Sequence, residues 1–244
     1  MNFDYSIILA VIFGILPSLI WLTYYLTKDL HPEPKGMILQ VFFWGALITL
    51  PVFFVQVGFN SLLEESVTNS LLYNLINCFL IIALSEEIFK YLVVKLKVVN
   101  SPHLDEPVDV MIYMVVAALG FAAVENILYL FTPMGQMPID QALTRTLVAD
   151  IIRFIGATFL HTLCSAVIGY SFAISFCQAK IKHTPIVLGI IFATLLHGLY
   201  DFSIMTLDGD MKLAIPATII ITLAFLVFSG FEKIKKMKGL CRTK

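Results

Sequence analysis

Residues 85–90 read Ser85-Glu86-Glu87-Ile88-Phe89-Lys90, three formal charges set inside an apolar run that extends from Leu71 to Val94. One charge at the centre of a bilayer-spanning helix costs about 2.5–3.5 kcal/mol on insertion scales, so a stretch that holds three must turn them toward partners. On a helix, Glu86 and Glu87 stand four and three residues before Lys90, which places the ammonium between the two carboxylates on one polar face. What that face meets decides the fold.

The chain around it is apolar. Of 244 residues, 59% are hydrophobic and 14% charged, against about a quarter charged in a water-soluble globule. This composition defines a polytopic membrane protein, and a spanning helix needs roughly 20 apolar residues. By that ruler the sequence divides into seven spans, 5–26, 37–60, 71–94, 108–131, 146–178, 185–206 and 212–231. The expected fold is an all-α helix bundle in one transmembrane domain, 1–244. Its core is 71–206, with peripheral helices at 5–60 and 212–231 and a basic tail at 232–244. Turn signals fall between the spans, at His31-Pro32-Glu33-Pro34, Ser101-Pro102, Thr132-Pro133-Met134-Gly135 and Thr184-Pro185. The fifth span exceeds one membrane crossing and is expected to tilt or protrude. The first run has no basic leader and no small-residue cleavage site, so it reads as a retained helix. Cys78, Cys164, Cys177 and Cys241 form no CxxC pair and read as free thiols. A net charge of -1 gives no support to nucleic-acid binding.

The distribution of Lys and Arg predicts an orientation. Lys28, Lys35, Lys95, Lys97, Lys180, Lys182 and the tail residues Lys233, Lys235, Lys236, Lys238, Arg242 and Lys244 fall on one side. Arg145 and Lys212 fall on the other, while Lys90 and Arg153 lie within spans. Cytoplasmic loops collect positive charge, so the C-terminus is expected in the cytoplasm and the N-terminus outside, in a prokaryotic cell membrane.

Ionisable groups at depth are confined to four spans: Glu86, Glu87 and Lys90 in the third, Glu125 followed by Asn126 in the fourth, Arg153 and His161 in the fifth, His197 and Asp201 in the sixth. That segregation predicts a polar cavity among spans three to six, with spans one, two and seven packed around it. One lysine facing two carboxylates leaves a surplus acid, the requirement of a general base. Asp201, four residues after His197, is placed to bond one imidazole nitrogen and raise the basicity of the other. Arg153 has Asp150 three residues before it and is expected to pair locally. Gly120, Ala122 and Ala123 beside Glu125 predict close helix approach. Asp109 and Glu106 read as a solvated helix start. The set contains the parts for activating water by a carboxylate, with a histidine, or a metal held by His161, His197 and an acid, to polarise the carbonyl under attack. No HExxH, GxSxG or serine–lysine motif competes with that chemistry.

At these residues the chain resembles the PrsW intramembrane proteases, which group with CAAX prenyl endopeptidases and bacteriocin-processing membrane proteases. The likeness rests on Glu86-Glu87-Ile88-Phe89-Lys90 as EExxK, Phe121 to Glu125 with Asn126 as FxxxE, His161 in the fifth span, and His197 to Asp201 as HxxxD. The resemblance implies cleavage of a membrane-anchored protein near the outer membrane surface, which in the namesake protein is the first cut in an anti-sigma factor. It makes Glu86 and Glu87 the central catalytic pair, completed by His161, His197, Glu125 and Asp201, with Lys90, Asn126 and Arg153 in support. It leaves open whether a divalent metal such as zinc takes part, with His161, His197 and Glu125 as candidate ligands. The rival reading is a proton-coupled transporter, since buried acids and histidines also make proton relays. It predicts helices broken by glycine or proline at mid-membrane and an internal repeat; spans three to six have no interior proline, and the repeat signal is one short echo, Ala157 to His161 against Ala193 to His197. A third reading, a scaffold whose polar groups only join helices, has no further signal. From helical rise, Glu86 and His197 lie nearer the cytoplasmic ends of their spans than Glu125 and His161. The expectation is an inner shell of Glu86, Glu87 and His197, with Glu125 or His161 behind it.

Overall fold

The computed structural model describes residues 5–29, 31–131, 139–177 and 183–237. The Thr132–Gly135 turn, Lys180, Lys182, Lys238, Cys241, Arg242 and Lys244, and the side chains of Arg145 and Cys177, lie outside the described residues. Seven rods make up the bundle: Tyr5–Leu26, Lys35–Ser66, Ser70–Lys97, Pro107–Phe131, the pair Ile139–Ile155 and Ala157–Cys177, Thr184–Thr206, and Met211–Ile234. All seven are long and apolar enough to cross a membrane, and the described residues contain no strand. The protein is an all-α, multi-pass membrane protein.

The fourth span is the axis of the bundle rather than one wall of a cavity. Of its apolar stretch, 94% is buried, against 22% for the first and seventh spans. Such a helix can be enclosed only if its neighbours approach closely, and small residues permit that. A Cβ at Gly120 would strike the carbonyl of Phe42, and one at Gly45 would strike the carbonyl of Ala117, so the second and fourth spans touch backbone to backbone. The small residues near Glu125 do mark a close approach, as expected, and the partner is the second span.

Two irregularities were not foreseen. The third span changes from α-helix to π-helix over Asn77–Ala83 and returns to α-helix at Leu84, two residues before the carboxylate pair. Phe79 of the π segment packs on Gly198, where a Cβ would lie 2.7 Å from the ring, so spans three and six close beside His197. The fifth span is not continuous over 146–178 but breaks at Gly156. The Trp21 indole donates to the Phe154 carbonyl at 2.9 Å just before the break and stacks on Phe159, centroids 4.1 Å apart. The backbone bonds from Gly156 N–H to Ile152 at 2.8 Å and from Leu160 N–H to Gly156 at 2.9 Å still run across the break.

At one end of the bundle the first and third loops meet. Asp29 accepts the backbone N–H of His31 and of Glu33, which folds the Pro-Glu-Pro turn, and His31 reaches Glu106 at 2.8 Å. Glu33 accepts the Tyr113 hydroxyl at 2.5 Å, and burial pushes its carboxyl above the usual range. Asp109 is only 2% exposed and accepts the N–H groups of Asp105 and Glu106 at 3.1 and 2.7 Å. The expectation of a solvated start therefore fails for Asp109, whose carboxylate turns inward to cap its own helix. Cys78 and Cys164 are buried free thiols, as expected.

Candidate active site

Glu86, Glu87, Lys90, His161 and His197 are each at most 4% exposed. Burying charges costs several kcal/mol per ion unless they are closely paired and hydrogen-bonded, and here one of the two acids is so paired. Glu87 Oε1 accepts Lys90 Nζ at 2.6 Å and lies 2.8 Å from His197 Nδ1. Lys90 also reaches His161 Nδ1 at 3.1 Å and lies 5.2 Å from the centre of the Phe121 ring. Glu86 is held differently. Its Oε1 accepts the side-chain amide of Gln56 at 3.1 Å. Its Oε2 is buried without a hydrogen bond among the described residues, 3.8 Å from both His161 Nδ1 and His197 Nε2 and 4.0 Å from Lys90 Nζ.

Each histidine places one nitrogen against a carboxylate and has the other 3.8 Å from Glu86 Oε2, where Lys90 also reaches His161 and Asp201 also reaches His197. His161 Nε2 is 2.7 Å from Glu125 Oε2, and the two imidazole rings stand nearly perpendicular, 5.0 Å apart. For His197 the close carboxylate is Glu87, on Nδ1. Asp201, assigned that task from its spacing, lies 3.4 Å from Nε2 instead. The reason is register: the π segment and Gly198 let the third span approach His197 more closely than its own helix neighbour does. Arg153 does not rely on Asp150. Its Nη2 lies 3.2 Å from Glu125 and its Nε donates to Asn126 Oδ1 at 2.5 Å. Asn126 donates to Thr158 and to the Gly14 carbonyl, which ties in the first span.

The separation in depth expected between Glu86 and the Glu125–His161 pair is taken up at the loop end. Tyr113 is already at the level of Glu33 in the first loop. Glu125 is therefore about 18 Å along its helix from that level at ~1.5 Å per residue, rather than the ~27 Å counted from Pro107. Glu86, Glu87 and His197 come together as expected, His161 joins them, and Glu125 stands behind His161.

A cavity of about 390 Å³ opens onto this cluster, lined by Glu86, Glu125, Arg153, His161, His197 and Asp201 with apolar residues at its rim. Three donor atoms from Glu86, His161 and His197 lie within 4.8 Å of one another, close enough for one metal ion. The acid in this trio is Glu86, not Glu125 as the sequence candidates had it, because Glu125 is spent on His161 and Arg153. Gln56 was not anticipated at all. An uncharged amide in a span without ionisable residues gave no signal beyond being polar at depth.

The chain is an intramembrane protease, as its likeness to known proteins shows. The profile described as PrsW family intramembrane metalloprotease matches residues 33–229, and the chain belongs to that family. It is similar to Protease PrsW of Oceanobacillus iheyensis, 32% identical over 189 residues, covering 78% of this chain and 80% of that protein. Protease PrsW of Bacillus subtilis is 29% identical over 229 residues, covering 93% and 94%. Protease PrsW of Geobacillus kaustophilus is 28% identical over 236 residues, covering 94% and 92%. No solved structure matches the chain.

Proposed function

We propose that this protein is an intramembrane endopeptidase that cuts a membrane-anchored protein, of the kind that begins regulated proteolysis of an anti-sigma factor, with Glu86 as general base. The observation that carries the reading is Glu86 Oε2, a buried carboxylate oxygen with no hydrogen bond among the described residues, in a cavity and facing two imidazole nitrogens. Glu87 is occupied by Lys90 and His197 and serves to hold them. Glu86 is free to take the proton of a water that attacks the scissile carbonyl. His197, protonated on both nitrogens and oriented through Nδ1 by Glu87, donates Nε2–H to the developing oxyanion and then gives that proton to the leaving amide nitrogen, and Glu86 returns the water's proton to His197 Nε2 as the products leave. Glu125, bridged to Arg153, orients His161 in the same way. The peptide bond must leave its helical hydrogen bonds to be reached, so the substrate segment unwinds locally at the cavity. The positive-charge bias supports an arrangement with the N-terminus outside and the C-terminus in the cytoplasm.

The donor set also fits a divalent cation such as zinc. Glu86 Oε2 has an unused lone pair, and both imidazoles are backed by carboxylates, as metal-binding histidines are. Glu86, His161 and His197 would hold it, with His161 Nδ1 released from Lys90. A bound ion would supply Lewis acidity and a lowered pKa for its water.

The test is co-expression with single-span membrane-anchored candidates, anti-sigma factors first. Cleavage by the parent is compared with Glu86→Gln, Glu87→Gln and His197→Ala at matched membrane levels, with and without a chelator. Loss of cleavage in all three folded variants is expected, and chelator sensitivity reports on metal. Full cleavage by Glu86→Gln would overturn the assignment.

A further inference from the structure

Gln56 lies in the second span, which carries no ionisable residue among its apolar stretch and touches the site nowhere else by a side-chain hydrogen bond among the described residues. Its amide Nε2 donates to Glu86 Oε1 at 3.1 Å and lies 3.5 Å from Ser85 Oγ. Ser85 Oγ is itself fixed, donating to the carbonyls of Ile81 and Ile82. Among the described residues, Gln56 is the group that hydrogen-bonds Glu86.

A buried carboxylate in this place has two ways to lower its energy. It can turn fully onto Lys90, now 4.0 Å from Oε2, so that both glutamates share one ammonium. Or it can be held by another donor, with one oxygen left in the cavity. A bond from an amide to a carboxylate is charge-assisted and shorter-ranged than the pull of the ammonium, and it is directional where the Coulomb attraction is not. It is also neutral, so it fixes the carboxylate without a second positive charge that would weaken the base. We propose that Gln56 is a positioning residue for hydrolysis: it tethers Glu86 Oε1, keeps the carboxylate off Lys90, and leaves Oε2 facing His161 and His197. The inference rests on the reading of Glu86 as the base. It also assigns the second span a part in the site, though the span supplies no catalytic group.

Two measurements on the purified, lipid-reconstituted full chain test it. Isotope-edited infrared difference spectra of ¹³C-glutamate-labelled protein, parent minus Glu86→Gln, isolate the carboxylate stretch of Glu86. Gln56→Leu is expected to shift that band, and Gln56→Asn, one methylene shorter, to shift it partway. An unmoved band in both variants overturns the tether, whatever happens to activity. With a single-span reporter, Gln56→Leu is expected to lower kcat by about 10- to 100-fold with KM within twofold. In a Glu86→Gln background it is expected to add nothing. A change in KM alone, or an unchanged kcat, would also overturn it. Full cleavage of the reporter by Glu86→Gln while the Glu86 band of the parent moves with Gln56 would remove Glu86 as the base and keep the tether.

Discussion

Two clusters in this molecule each bring three potential ligand atoms within 4.8 Å: Glu86, His161 and His197 inside the bundle, and Glu33, Asp105 and Asp109 where the first and third loops meet. They differ in what the oxygens are doing. At the loop end, Asp109 accepts two backbone N–H groups and Glu33 a tyrosine hydroxyl, so the carboxylates finish a turn and a helix start. Inside the bundle, Glu86 Oε2 and Glu87 Oε2 are buried with no hydrogen bond among the described residues. Gathering acids does not make a site. What sets the inner cluster apart is that Glu86 Oε2, without such a partner among the described residues, lines a cavity together with two imidazoles.

The contrast can be broken by substitution. Glu86→Gln is expected to lower cleavage by about three orders of magnitude or more, close to 4 kcal/mol of barrier. Asp109→Asn should leave it within a few-fold; loss of cleavage in a folded Asp109→Asn protein would erase the distinction. Lys90→Met strands Glu87 without its cation and should lower stability by about 3 kcal/mol, near the lower end for breaking a buried pair. Thermal denaturation in detergent reads this, and an unchanged midpoint would mean that the pair is not what holds Glu87. Glu125→Gln keeps the shape but weakens the grip on His161, with an expected ten- to hundred-fold fall in kcat and little change in melting. The smallest effect belongs to Glu33. Burial holds its carboxyl above the ordinary 4.5, so the folded state binds that proton more tightly than the unfolded state. Its contribution is complete below pH 4.5 and declines as pH rises through the raised value. Glu33→Gln should flatten that decline in a melting-temperature-against-pH series, and a steeper one would reverse the sign.

Much of this could be read from the residues. The apolar runs gave the seven spans, since bilayer thickness fixes helix length, and the confinement of charge to spans three to six indicated which helices share a cavity. Helical spacing correctly set Lys90 against Glu87, because both lie on one helix. It placed Asp201 beside His197, 3.4 Å from Nε2, but gave no hint that Glu87 would take Nδ1. It failed for Arg153, whose expected partner Asp150 gave way to Glu125 and Asn126 from the neighbouring span. A helical period says which residues share a face; it does not give the axial register between two helices. That register depends here on a π segment in sequence without any breaker and on Gly198 admitting Phe79. Gln56 escaped for a simpler reason, since a lone amide in a membrane span has no periodic or charge signature.

The enclosed fourth span has a consequence for biogenesis. Spans enter the membrane in chain order, so Glu125 and Asn126 arrive before the fifth span has delivered Arg153, Thr158 and His161 to meet them. Until then the axis of the bundle shows polar groups to lipid, a half-built state that chaperones and membrane proteases can recognise. A truncated chain ending after the fourth span should therefore be degraded rather than accumulate. The fifth span is the piece that seals the axis of the bundle.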